Sequence, residues 1–178
     1  MSHLRVRTVS AAMLLAAATL LGACGDGGSE AKKDDGPTRP AYIAEVDALC
    51  AKVARQSRPT NRKLQALVNA TGSFSGRLKK SVPLLRKTYS LQAGKLYDFR
   101  RIEPPAKDRK QINEVIAASA AALKEFRGGI PIAQRGDLKG FIDIAFDANS
   151  TRARAERLGT TYGFREDCFA IPIDLGQV

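Results

Sequence analysis

The chain has 178 residues, with 29 Lys and Arg against 18 Asp and Glu, a formal net charge of +11, no Trp and a single histidine, His3. Everything downstream of His3 therefore lacks an imidazole. That excludes Ser–His–Asp and Cys–His catalysis, His-bearing zinc sites and the Glu-x-x-His ligands of di-iron bundles.

The first element is an address. Arg5 and Arg7 form a short basic region, an Ala- and Leu-rich run extends from Ser10 to Gly22, and small residues follow. This is the layout of a secretory signal. The apolar run is well short of the roughly 20 residues that span a bilayer as a helix. The segment ends in Leu21-Gly22-Ala23-Cys24, which resembles the lipobox of bacterial lipoproteins. That resemblance implies a signal peptide over residues 1–23, diacylation of Cys24 on sulfur (a palmitate-type anchor) and cleavage before it. Two acyl chains hold a protein stably where one does so only marginally. The alternative is an ordinary secretory signal that a cysteine happens to follow. The expected location is the extracytoplasmic face of the cell membrane.

From Gly25 to Pro40 the composition turns to Gly, Ser, Asp, Lys, Thr and Pro. Such a segment buries too little apolar surface to offset its ordering entropy. Residues 24–40 are thus expected to be the lipidated cysteine and a disordered tether, with a reach of about 20 Å. Residues 41–178 are expected to be one helical bundle domain, long enough for a real core.

Pro40 opens the first helix, and proline suits a first helical position. Ile43, Val46, Cys50 and Val53 recur at 3-4-3 spacing, one face of a helix. Ser57-Arg58-Pro59-Thr60 is expected to interrupt it, followed by a shorter helix carrying Leu64, Leu67 and Val68 to Gly72. Leu78, Val82, Leu85, Tyr89, Gln92, Leu96 and Phe99 then follow a 4-3-4-3-4-3 pattern, the seam of a helix among near-parallel neighbours. Pro83 marks a kink or a fresh start within it, and Pro104-Pro105 stops the run after Ile102. Asp108 caps a fourth helix with the face Ile112, Val115, Ile116, Ser119, Leu123 and Phe126, ended by Gly128-Gly129. Asp137 caps a fifth, running from Leu138 towards Tyr162 with Phe141, Ala145 and Ala148 on its stripe. No stretch shows period-2 alternation. The fold class is all-α, an antiparallel bundle of four to five helices.

With Cys24 lipidated, Cys50 and Cys168 remain, an even pair in an exported chain. Exported domains sit where disulfides persist, so a Cys50–Cys168 bridge is expected. Two buried free thiols are the alternative.

Beyond the lipobox, the sequence resembles a group of small actinobacterial lipoproteins. The matching pieces are Tyr42-Ile43 leading to Asp47-Ala48-Leu49-Cys50, Pro104-Pro105 before a helix, Gly136-Asp137, and Tyr162-Gly163-Phe164 followed by Cys168. The resemblance implies an all-helical domain whose first-helix cysteine is bridged to the C-terminal one. It carries no activity with it.

The remaining chemistry is thin. Asp143 and Asp147 stand one turn apart and share a helix face, a pairing suited to acid–base work or a divalent ion. No further acidic cluster joins them, and a solvated face is the plainer meaning. Ala117–Ala122 is a run of small residues, with room between helices for a small apolar ligand or for close helix approach. No catalytic residue, metal site or cofactor is expected.

Charge is the strongest functional signal. Between Lys52 and Lys110 there are 16 basic residues against Asp98, Glu103 and Asp108. From Gln111 onwards the balance is 8 basic to 9 acidic. Arg77, Lys79, Lys80, Arg86, Lys87, Lys95, Arg100 and Arg101 sit on or near the heptad-patterned helix, mostly off its apolar positions. For an exported protein nucleic acid is excluded as a partner. Anionic lipid headgroups, acidic wall polymers or another envelope protein are the expected ones. A merely solubilising surface is the alternative. The expectation is a binding or interaction module of the envelope. A carrier of a small apolar ligand comes second, and an envelope enzyme last.

Overall fold

A computed structural model describes residues 36–146 and 150–169. The signal segment, Cys24, nearly all of the tether, Asp147 and Ala148 lie outside the described residues. Five α-helices make up the bundle: α1 (Arg39–Val68), α2 (Phe74–Phe99), α3 (Arg109–Arg135), α4 (Leu138–Phe146) and α5 (Thr151–Tyr162). Short 3-10 turns sit at Ala106–Asp108 and Glu166–Cys168. No strand occurs among the described residues.

The short connections force neighbouring helices antiparallel. α2 packs against both α1 and α3, and α3 in turn against α4 and α5. The register of the last arm is consistent throughout. Phe141 meets Gly129, the Thr151 hydroxyl donates to Glu125 at 2.6 Å, and the Tyr162 hydroxyl donates to Asp108 at 2.8 Å. α4 and α5 thus form one arm running back along α3, in place of the single fifth helix predicted from Asp137. Ser150 supplies the new start, its hydroxyl accepting from the Ala153 N–H at 3.3 Å. Asp137 does cap α4 as expected, accepting from the Gly140 N–H at 2.9 Å.

Two other expectations about element boundaries fail, the break at Ser57–Thr60 and the stop at Gly128-Gly129, and Pro83 makes no fresh start. α1 runs unbroken through Pro59, α2 begins at Phe74 and passes through Pro83, and α3 passes Gly128, Gly129 and Pro131 before ending at Gly136. All three prolines are exposed. A proline denies an N–H to the carbonyl four residues earlier, and an outward-facing site leaves that carbonyl open to water. The buried face continues across each break. In α1 it is Tyr42, Val46, Cys50, Val53, Ser57, Thr60 and Leu64, so the residues expected to interrupt the helix carry its seam. Gly129 is buried beneath Phe141, whose ring lies 3.5 Å from where a Cβ would stand, an ordinary packing distance.

Helix ends follow from local chemistry. Thr38 caps α1 through its hydroxyl, and Ser73 caps α2 in the same way. Gly136 ends α3 with φ at 76°, the left-handed conformation glycine adopts without strain. A Cβ at Gly136 would lie 2.2 Å from the Ser75 Oγ and 2.7 Å from the Lys79 side chain, so another residue here also requires those side chains to move.

Two apolar clusters fill the bundle. One holds Tyr42, Val46, Cys50, Phe99, Ile112, Val115, Tyr162, Phe164, Cys168 and Phe169 at the end where the chain enters. The other holds Leu64, Leu78, Val82, Leu85, Phe126, Ile130, Ala133 and Phe141 at the far end. Between them along α1 and α2 lies a layer of buried Ser57, Thr60, Thr88 and Gln92. The hydroxyls of Ser57 and Thr88 have no hydrogen-bond partner among the described residues. The predicted stripes are packed over most of their length, with local shifts: Tyr42 is fully buried and Ile43 only partly, and Ala118 and Ala122 lie deeper than Ser119 and Leu123.

Candidate functional site: the two ends of the bundle

At the entry end, Cys50 and Cys168 form the expected disulfide, with Cα atoms 5.1 Å apart and a sequence separation of 118. Five aromatic rings pack beside it. Phe164 is their hub, with its ring centre 4.8 Å from Tyr162, 5.5 Å from Phe169, 5.9 Å from Phe99 and 6.0 Å from Tyr42. Gly159 makes room for Phe169, whose ring lies 2.4 Å from where a Cβ would stand. Asp47 accepts from the Arg165 N–H at 3.1 Å, and Arg39 stacks 4.2 Å over the Tyr162 ring while donating to the Tyr162 carbonyl. Burial raises the Tyr42 and Tyr162 hydroxyls above the ordinary tyrosine range, reinforced at Tyr162 by its bond to Asp108. This end is a clamp that ties the C-terminal segment to α1 and α2.

Of the eight cations singled out from the sequence, two are drawn into structural work. Arg77 donates to the carbonyls of Val68 and Ala70 at 2.6 Å each, and its guanidinium lies 3.9 Å over the Phe74 ring. It satisfies carbonyls that the end of α1 leaves open. Lys95 is partly buried in the clamp, donating to the Cys168 carbonyl at 2.5 Å beside the Phe169 ring. Burial lowers its pKa to about 8, with Asp167 opposing the shift. The other six are exposed: Lys79, Lys80, Arg86 and Lys87 along the first half of α2, and Arg100 and Arg101 at its end. Arg101 lies 5.5 Å over the ring of Tyr97, which is 62 % exposed.

The charge excess predicted for one half of the sequence becomes something different in space. No carboxylate occurs in residues 48–97, so the outer faces of α1 and α2 hold only cations over most of their length. Folding brings the end of α3 alongside. Arg86 reaches Gln134 at 3.4 Å, and the Lys79 side chain passes close to Gly136. Arg127 and Arg135 thereby join the same end of the molecule. Sequence reasoning missed them because the balance beyond Gln111 averages to neutral. Antiparallel pairing of α2 and α3 was the signal that could have found them.

The other candidates offer less. Asp143 is exposed and paired with Lys139 at 2.7 Å on its own helix, and its expected partner Asp147 lies outside the described residues. Beside the disulfide, Leu49, Gln92, Lys95, Ser119 and Leu123 help to line a cavity of about 40 Å³. One water needs about 10–15 Å³ on this measure. No helix among the described residues is long and apolar enough to cross a membrane. Among known proteins, no family model, no curated protein and no solved structure matches this chain.

Proposed function

We propose that this chain is a membrane-anchored extracytoplasmic lipoprotein whose bundle is a binding or interaction module of the cell envelope, acting through its basic surface and not as an enzyme. The observation that carries the reading is the carboxylate-free stretch between Asp47 and Asp98. Its exposed cations Lys79, Lys80, Arg86 and Lys87 form no ion pair among the described residues. Each basic residue near an anionic surface contributes about 1 kcal/mol, reduced by salt. A few such residues suffice when a tether already holds the domain close to its target.

The anchor is supported by the lipobox-like Leu21-Gly22-Ala23-Cys24 and by the polar segment that follows it. Mass spectrometry of the mature protein is expected to find an acylated N-terminal Cys24. An unmodified terminus, or one starting elsewhere, contradicts the anchor. A lipid-free form is expected to sediment with anionic vesicles at low salt and to be released as salt rises. Equal sedimentation with neutral and anionic vesicles contradicts the basic-surface reading. The alternative of carrying a small apolar ligand rests on the small residues of α3. The cavity beside the disulfide accommodates a few water molecules, not an acyl chain, so the basic surface is preferred.

A further inference from the structure

We propose that the half of the bundle remote from the chain's entry is the docking surface for a linear polyanion of the envelope, not for the bilayer that holds the anchor. Its orientation rests on the lipoprotein reading above; its chemistry comes from the charge distribution.

Residues 54–88 and 122–146 build that remote half, and they hold 13 Lys and Arg against Glu125, Asp137 and Asp143. All three carboxylates are already committed. Glu125 accepts from Thr151, Asp137 caps α4, and Asp143 pairs with Lys139. That pair is the one ion pair of this half among the described residues. The entry half, residues 36–53, 89–121 and 150–169, holds 12 cations against 9 carboxylates and the other three ion pairs. Like charges crowded without internal partners repel and weaken the folded state. A partner that supplies the missing anions relieves that repulsion.

The spacing suits an extended chain. Lys79 and Lys80 recur as Arg86 and Lys87 seven residues on, two turns or about 10 Å along one helix face. Arg86 and Lys79 abut the end of α3, which carries the charge across the α2–α3 seam to Arg135. Position excludes the anchoring bilayer as the preferred occupant. The chain enters the bundle at Thr38, and α1 runs about 22 Å before reaching this half, whose far end lies about 45 Å along the 30-residue helix. On the lipoprotein reading the anchor precedes Thr38, so this half is the part of the bundle farther along the chain from the anchor.

The test uses the full-length processed protein reconstituted in neutral phosphatidylcholine vesicles, with fluorescent long-chain inorganic polyphosphate as the probe. Two variants remove equal charge from exposed positions: K79Q/K80Q/R86Q/K87Q in the remote half and R100Q/R101Q/K107Q/K110Q at the entry end. The pairs K80Q/K87Q and K107Q/K110Q repeat the comparison if a fourfold variant loses its helical circular dichroism. The remote variant is expected to lower polymer capture at low salt by more than about tenfold, and the entry variant by less than about twofold. Equal loss, or a larger loss from the entry variant, overturns the assignment to the remote half while leaving the basic-surface reading intact. No polymer capture by the parent protein overturns this inference, and the basic-surface reading falls with it only if the lipid-free form also fails to bind anionic vesicles. A parent protein that does not stay with neutral vesicles overturns the anchor and the orientation, and polymer anisotropy in solution then still ranks the variants. If the remote variant loses binding to phosphatidylglycerol vesicles but not to polyphosphate, the choice of occupant is wrong.

Discussion

The two ends of this bundle solve opposite problems. The entry end is held together more firmly than helix packing requires, by a disulfide, a five-ring cluster, a buried lysine and paired charges. The remote end has an aliphatic core closed by Phe126 and Phe141, and a surface of cations almost without carboxylates. One end spends its chemistry inward and the other outward. The contrast teaches that the count of charged residues says little until folding shows which of them are already engaged.

The sharpest way to break the contrast is to remove the clamp. A Cys50→Ser/Cys168→Ser double variant is expected to lose about 4–5 kcal/mol in denaturant unfolding, from the entropy of a loop of 118 residues. A loss under about 1 kcal/mol means that the aromatic cluster alone closes this end. Next come the rings. Phe164→Ala is expected to cost about 3–5 kcal/mol, because Phe164 is buried against four other rings. At the other end Phe74, 43 % exposed at the start of α2 and stacked under Arg77, is expected to cost about 1 kcal/mol as alanine. Comparable losses at Phe164 and Phe74 erase the distinction between the ends.

A pH series probes the clamp separately. The Lys95 pKa is lowered from 10.5 to about 8 in the folded chain. Between those values the unfolded chain binds more protons than the folded one, so this group makes stability rise with pH across that window. Unfolding midpoints measured through it are expected to climb, and Lys95→Met is expected to flatten the climb. An unchanged slope in the variant contradicts the burial of a charged amine there. A smaller effect is expected in the polar layer between the clusters. Thr88→Val removes a buried hydroxyl that lacks a partner while nearly preserving shape, and is expected to stabilise by about 1 kcal/mol. Destabilisation shows instead that the hydroxyl is satisfied.

Much of the fold was legible in the sequence. The 4-3 seam from Leu78 to Phe99, the Asp137 cap and the cysteine parity all led to what folded. Pro59 and Gly128-Gly129 misled because local propensity was weighed as if each helix stood alone. Prolines turned outward, with continuous packing on the opposite face, cost too little to break the helices. Gly129 packs under Phe141, and nothing near Gly129 in the sequence announces that contact. The candidate surface was half legible. Lys79, Lys80, Arg86 and Lys87 stood out from charge counting. Arg77 and Lys95 carried the same charge in the sequence but are used internally, which only tertiary hydrogen bonds reveal. Arg127 and Arg135 were hidden by averaging over a helix whose two ends face different surroundings.

The most direct measurement of the two-ended division is residue-resolved NMR of the protein titrated with polyphosphate at low salt. Amide shifts are expected to concentrate in residues 55–63, 77–88 and 124–139 and to fade as salt is added. Shifts centred on Arg100, Arg101 and Lys107, or spread evenly over both ends, contradict it.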